Sequence, residues 1–339
     1  MSTYTQLYLD TMNRVIDMLV TNQDEWIPRY QKYAQTIRGV NDVIRQTKLR
    51  FGLSPNHDIY LPVSKALKAK ESDVTFDIRH KGQSVAELHI RTAGVFVRFR
   101  TDQNMRCYIE YPPILHNIPE SKDHEWHEKE AAAFRKYFAG PAIRTNRNLE
   151  HHFEAQLLKQ FSMSGNKLLR GIQPVKLCGM RFQMPTPLMA SNAKDGDVKY
   201  SKESGGGIDI LARQGLGNGV RLTVIELKDE SVRSEPPEKA IAQAIAYATF
   251  IRQLLRSPDA SADEWWKLFG FSRTLPDKLK FRVVIAMPTG KHNDCSFAKE
   301  TITFPAYNNH PNDLMELHCL YFDVDDAKTI TRISSTSLS

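Results

Sequence analysis

Two apolar runs, residues 208–213 and 221–228, stand on either side of Gly215, Gly217 and Gly219. Each is short and rich in Ile, Leu and Val, and the glycines between them supply turn chemistry, so together they read as an antiparallel hairpin. A turn centred between Gly217 and Asn218 sets Asp209 opposite Glu226, because the two lie symmetrically about that point. Directly opposed side chains have Cβ atoms about 4.5–5.5 Å apart. Lys228 lies two residues beyond Glu226 and projects from the same face of the strand. One patch of sheet then carries two carboxylates and one amine. A slip of one residue would turn half of them to the other face, so the register is the central assumption.

The rest of the chain builds around this hairpin. Leu7, Met12, Val15, Ile16 and Leu19 recur at helical spacing, as do Tyr30, Tyr33, Ile37 and Val40 after a break at 22–28. Residues 59–63, 74–78, 86–91 and 95–100 then read as strands. Thr92, Ala93 and Gly94 give a hairpin signal, and a further strand is expected at 107–111. A charged helix is expected across 124–138, closed by Gly140 and Pro141. The domain boundary falls there: an α+β domain over 1–140, for recognition or assembly, and a second domain over 141–339. In the second domain, 148–161 reads as an amphipathic helix. Pro236 and Pro237 open a long helix to about Arg256, and 281–287 and 317–324 read as strands, the first apolar enough to be buried on both faces. Helix, strands, helix, strand is the order of an α/β fold with a mixed sheet flanked by helices.

Two facing carboxylates repel unless a cation lies between them. Mg²⁺ takes oxygen ligands at about 2.0–2.1 Å and keeps several waters, so a two-carboxylate site suits it. Such an ion polarises a phosphoryl oxygen and acidifies a bound water, and a nearby ammonium can orient that water. The competing interpretation is a solvated strand face with charges at its end.

Ile208-Asp209 followed by an apolar strand ending Glu226-Leu227-Lys228 resembles the PD-(D/E)XK nuclease superfamily, although Ile208 stands where the family name has proline. The resemblance covers roughly 148–290. It implies a restriction-endonuclease-like fold and a nuclease dependent on Mg²⁺ or Mn²⁺. Asp209 and Glu226 would be metal ligands together with the Leu227 carbonyl, and Lys228 would assist the attacking water. It also implies a glutamate on the preceding helix, Glu154 with Glu150 in reserve, and Gln243 from a Gln-x-x-x-Tyr pattern that ends at Tyr247. The implied partner is nucleic acid, DNA before RNA, in genome defence, mobile-element or repair settings, and a homodimer for double-strand cleavage stays open. A net charge of +7 fits a polyanionic partner.

Other motifs carry less. Gly290-Lys291 lacks the remainder of a phosphate loop. Gly205 to Gly207 precede a strand and read as flexibility entering the site. His124, His127, His151 and His152 are expected on helices without zinc spacing. Trp265 and Trp266 read as packing. Four scattered cysteines, no apolar run near the roughly 20 residues that cross a bilayer, and an N-terminus without an apolar leader point to a cytoplasmic setting without a membrane. Two other functions remain: a nucleic-acid-binding module that has lost activity, and a protein-binding scaffold or effector component.

Overall fold

The computed structural model describes residues 3–47, 57–62, 73–80, 83–91, 93–100, 122–139, 149–162, 171–177, 180–190, 198–202, 205–215, 221–229, 237–290, 298–307 and 310–335. The expected strand at 107–111 and the turn at 217–218 lie outside them. The chain is a mixed α/β protein. Among the described residues, no helix is long and apolar enough to cross a membrane.

The helices are α1 (Thr3–Thr21), α2 (Gln23–Thr47), α3 (Lys129–Ala139), α4 (Leu149–Ser162), α5 (Pro237–Arg256) and α6 (Ala262–Leu268). The strands begin with β1 (His57–Pro62), β2 (Asp73–His80), β3 (Gln83–Arg91), β4 (Gly94–Phe99) and β5 (His124–Glu125). They continue with β6 (Ile172–Pro174), β7 (Lys176–Leu177), β8 (Met180–Gln183), β9 (Leu188–Met189) and β10 (Lys199–Tyr200). The last are β11 (Ile210–Gln214), β12 (Arg221–Leu227), β13 (Lys280–Pro288), β14 (Thr301–Thr303), β15 (Leu314–Val324) and β16 (Ile330–Ser335).

Two compact units result, and the division is not a single cut in sequence. One comprises Met1–Ala34, Gln156–Val175 and Gln183–Ser339; the other comprises Gln35–Ala155 and Lys176–Phe182. Helix α2 resumes directly after Asn22 and carries Pro28 inside it, so the expected break shrinks to one residue. Asn22 closes α1 by donating its side-chain amide to the Met18 carbonyl at 2.7 Å.

The second unit holds a sheet of order β5-β4-β3-β2-β1-β8-β7. Period-two alternation buries Phe76, Ile78, Leu88, Ile90, Val97 and Phe99 on one face. Phe134 of α3 packs on Phe99 at 5.2 Å between ring centroids, and Phe138 packs on His80 at 5.2 Å. The helix expected from residue 124 starts only at Lys129. His124 and Glu125 instead pair with Val97 and Phe96 as an edge strand, so tertiary pairing overrides the helical pattern there.

The first unit is built on a mixed sheet, order β14-β15-β13-β12-β11-β6 with β16 on β15. β12, β13 and β15 run parallel, while β6, β11, β14 and β16 pair antiparallel. Helix α5 is buried almost all round, through Ile241, Ala244, Ile245, Ala248, Phe250, Ile251 and Leu255. The reason is that it packs on β12 and β13 and is also covered by α1, whose Tyr8, Met12, Val15 and Leu19 form one apolar stripe. Trp265 is fully buried and donates its ring N–H to the Tyr30 carbonyl at 3.2 Å, as expected of a packing residue.

A buried carboxylate and ammonium cluster at the end of β12

The strand register places the candidate residues. β11 pairs with β12 as Ile210 with Ile225, Leu211 with Val224 and onward to Gln214 with Arg221. One further step of that ladder sets Asp209 opposite Glu226. At this step the ladder changes character: the backbone N–H of Leu227 donates to Asp209 Oδ2 at 2.8 Å instead of to a carbonyl. Asp209 thus ends the pairing of β11 and is fixed by the neighbouring strand's main chain. Because a strand residue's N–H and C=O point to the same side, the Leu227 carbonyl also faces the Asp209 edge.

Beyond β12 the backbone N–H of Lys228 donates to the Ala286 carbonyl at 2.9 Å, prolonging the parallel ladder with β13. That bond holds Lys228 in extended geometry, so its side chain returns to the face of Glu226. Lys228 Nζ donates to Glu226 Oε1 at 2.8 Å, and the two side chains are only 5% and 2% exposed. A charge pair removed from water to this degree persists only where geometry is good and both members are present.

Helix α5 closes the cluster. Gln243 and Tyr247 lie one turn apart and both are buried, with Gln243 Nε2 donating to Tyr247 Oη at 3.3 Å. Burial pushes the Tyr247 hydroxyl well above its ordinary pKa. Glu226 and Asp209 push the same way, against the Gln243 hydrogen bond and Lys228. All four expected neighbours therefore lie within electrostatic reach of one phenol, which stays protonated as a hydrogen-bond donor at any ordinary pH.

Close neighbours explain two glycines of the run. A Cβ on Gly206 would lie 2.5 Å from Tyr247 Oη and 3.2 Å from the Leu188 carbonyl oxygen, and one on Gly205 would lie 2.0 Å from the Thr186 oxygen. Gly206 pairs both ways with the 186–188 segment: its N–H donates to Leu188 and its carbonyl accepts from Thr186. Gly205 and Gly206 serve close backbone approach, a requirement the sequence alone did not show.

The donor set is two carboxylates and a main-chain carbonyl, all hard oxygens, beside one ammonium. Residues of these types could hold Mg²⁺ or Mn²⁺. Glu154 lies in the other unit, buried, with Arg181 donating to Oε1 and His151 Nδ1 3.3 Å from Oε2. Burial opposes ionisation of Glu154, but Arg181 and His151 outweigh it and hold the carboxyl down at about 2. The geometry of the cluster above does not depend on it. Glu150 is half-buried.

Sequence reasoning passed over one further group. His124, Glu128 and Glu130 bring their ligand atoms within 4.8 Å of one another in the second unit, a spacing that could hold a metal ion. Yet His124 Nε2 is buried without a hydrogen-bond partner, while Nδ1 lies 3.0 Å from Glu128 Oε2. A metal on Nδ1 would move the proton to Nε2, which has no acceptor there, whereas ligating histidines normally donate their second N–H. An Nδ1–H to Glu128 hydrogen bond accounts for the contact. The signal in sequence was His124, Glu128 and Glu130 within seven residues, passed over because that stretch reads as one charged helix.

No protein-family model matches this chain, and no curated protein or solved structure matches it either.

Proposed function

We propose that the chain is a metal-dependent nuclease with a restriction-endonuclease-like core, of the PD-(D/E)XK type. The observation that carries this reading is the convergence of half-buried Asp209 with buried Glu226 and Lys228 at the end of β12, backed by Gln243 and Tyr247. A solvated strand face would not bury Glu226 and Lys228 to a few per cent exposure.

In this reading Asp209 and Glu226 would hold Mg²⁺ or Mn²⁺ together with the Leu227 carbonyl. When bound, the ion supplies Lewis acidity toward a phosphodiester and lowers the pKa of an attacking water. Lys228, whose Nζ lies beside the Glu226 carboxylate, would orient that water and offset charge in the transition state. Asp209 keeps its bond from the Leu227 N–H, which fixes the carboxylate plane. Tyr247 and Gln243 position groups at the back of the site and exclude bulk water. Nucleic acid is the substrate class, DNA in the first instance.

The test is cleavage of supercoiled plasmid, linear duplex and single strands in Mg²⁺ and in Mn²⁺, with the wild type and Lys228→Ala. Cleavage by the wild type that falls by 10²-fold or more in the variant supports the reading. Intact substrates in both metals sink it for those substrates. A salt-dependent mobility shift without cleavage would mark a binding module of the same fold.

A further inference from the structure

The opposite face of the same sheet carries a second polar cluster at the other end of β12. Thr223 of β12, Arg282 of β13 and Glu316 of β15 are consecutive partners across the three parallel strands. Arg221 and His318 lie two residues from Thr223 and Glu316 on their strands, so all five project from one face. Residues 222, 224 and 226 point the other way, and Arg221 lies about 17 Å along the strand from Glu226.

The charges do not balance. Arg221 Nη1 donates to Glu316 Oε2 at 3.0 Å, Arg282 Nε lies 3.7 Å from that same oxygen, and His318 Nε2 also lies 3.7 Å from it. Three cationic or potentially cationic groups converge on a single carboxylate oxygen. An arginine offers five N–H donors in a planar fork. Among the described residues Arg282, only 14% exposed, has only the shared Glu316 carboxylate against it, and its Nε and that of Arg221 are buried without a hydrogen-bond partner. The hydroxyl of Thr223, wholly buried, has no partner either. Burial, and then the nearby Arg221, lower the pKa of Arg282, against Glu316, which raises it. Buried guanidinium groups are ordinarily satisfied by bidentate acceptors.

We propose that this face binds an oxyanion of the phosphate class, held by the forks of Arg221 and Arg282 and by the Thr223 hydroxyl, at a site separate from the Asp209 cluster. Arg221 and Glu316, each 25% exposed, form its opening. The site does not depend on the nuclease reading. Its anion has two sources, a backbone phosphate of nucleic acid and a free phosphate or phosphomonoester.

The experiment is calorimetric titration of sodium phosphate into the full chain at constant ionic strength, balanced with chloride. Saturable binding is expected for the wild type, weakened at least 10-fold by Arg282→Met. Glu316→Gln should tighten binding several-fold, because the carboxylate competes for the same forks. A purely structural ion-pair role predicts no such gain. Thr223→Val, expected to weaken binding several-fold, decides the matter if Arg282→Met does not fold. No saturable binding by the wild type, or equal binding by the wild type and these two variants, overturns the proposal. A second titration uses an oligonucleotide without terminal phosphates, in EDTA. Loss of affinity and a shallower salt dependence in the arginine or threonine variant identify backbone phosphate as the source. Unchanged oligonucleotide binding with lost phosphate binding identifies the free anion.

Discussion

Lys228→Met keeps the length of the side chain and removes its charge, which isolates what the ammonium does for the two carboxylates. Lys228 Nζ lies 2.8 Å from Glu226 Oε1 with both side chains nearly out of water. Removing one member of such a pair costs about 3–5 kcal/mol, because the other charge stays buried without compensation. With a urea slope of about 2 kcal/mol per M, that moves the unfolding midpoint down by about 1.5–2.5 M. Tryptophan fluorescence is the appropriate signal: Trp26, Trp265 and Trp266, three of the chain's four tryptophans, lie in the unit that holds the site. In EDTA the full loss should appear. In Mg²⁺ the variant should recover more than the wild type gains, since the ion then supplies the missing positive charge. An ion at 100 times its Kd stabilises by about 2.7 kcal/mol. The double variant Glu226→Met with Lys228→Met should be markedly more stable than Lys228→Met in EDTA, as both charges leave together. A Lys228→Met protein within about 0.5 kcal/mol of wild type in EDTA, the usual size of a neutral surface change, would refute the buried-pair reasoning. An equal Mg²⁺ gain in both proteins would refute the shared-cation reasoning.

Further outcomes follow from other parts of the molecule. The carboxyl of Glu154 is held at about 2 in the fold, below its unfolded value, so it contributes stability above the unfolded pKa that is lost as pH falls toward 2. The contribution at neutral pH is about 3 kcal/mol by linkage, and Glu154→Gln should flatten the acid limb of the stability curve between about pH 5 and 2; an unchanged limb contradicts it. Gly206→Ala should cost about 1–3 kcal/mol through overpacking and cost less in a Tyr247→Phe background, because the clash at 2.5 Å is with the hydroxyl; equal costs in the two backgrounds would place the strain elsewhere. Asp313, wholly buried between Arg252 Nε at 2.9 Å and Arg256 Nη2 at 2.5 Å, also accepts the Leu279 N–H at 2.7 Å. Asp313→Asn should therefore destabilise by about 3–5 kcal/mol in chemical denaturation, and a loss under 1 kcal/mol would show that water compensates the arginines.

The sheet register around the site was legible because an antiparallel hairpin obeys simple arithmetic: every partner pair is symmetric about the same point, and the pairs from Ile210–Ile225 to Gln214–Arg221 keep that symmetry. Helix α5 was legible because its apolar residues outnumber what one face can carry, and Pro237 marks its first turn. What stayed hidden depends on partners distant in sequence. Gly205 and Gly206 look like part of a flexible run until the 186–188 backbone is seen against them. Glu154 reads as one of two helix-surface acids until Arg181, 27 residues on, is found beside it. His124 has a helical neighbourhood in sequence and pairs as an edge strand instead. The Arg221, Arg282 and Glu316 cluster needs the registers of three parallel strands, which no local pattern encodes.

The central claim is that Asp209 and Glu226 share one divalent ion beside Lys228. Titration of Mn²⁺ followed by its paramagnetic resonance signal counts that ion directly. The account predicts one Mn²⁺ per chain for the wild type, retained in His124→Ala and lost or weakened at least 10-fold in Asp209→Asn and in Glu226→Gln. Binding that survives both carboxylate changes, or a wild type that binds no Mn²⁺, contradicts it.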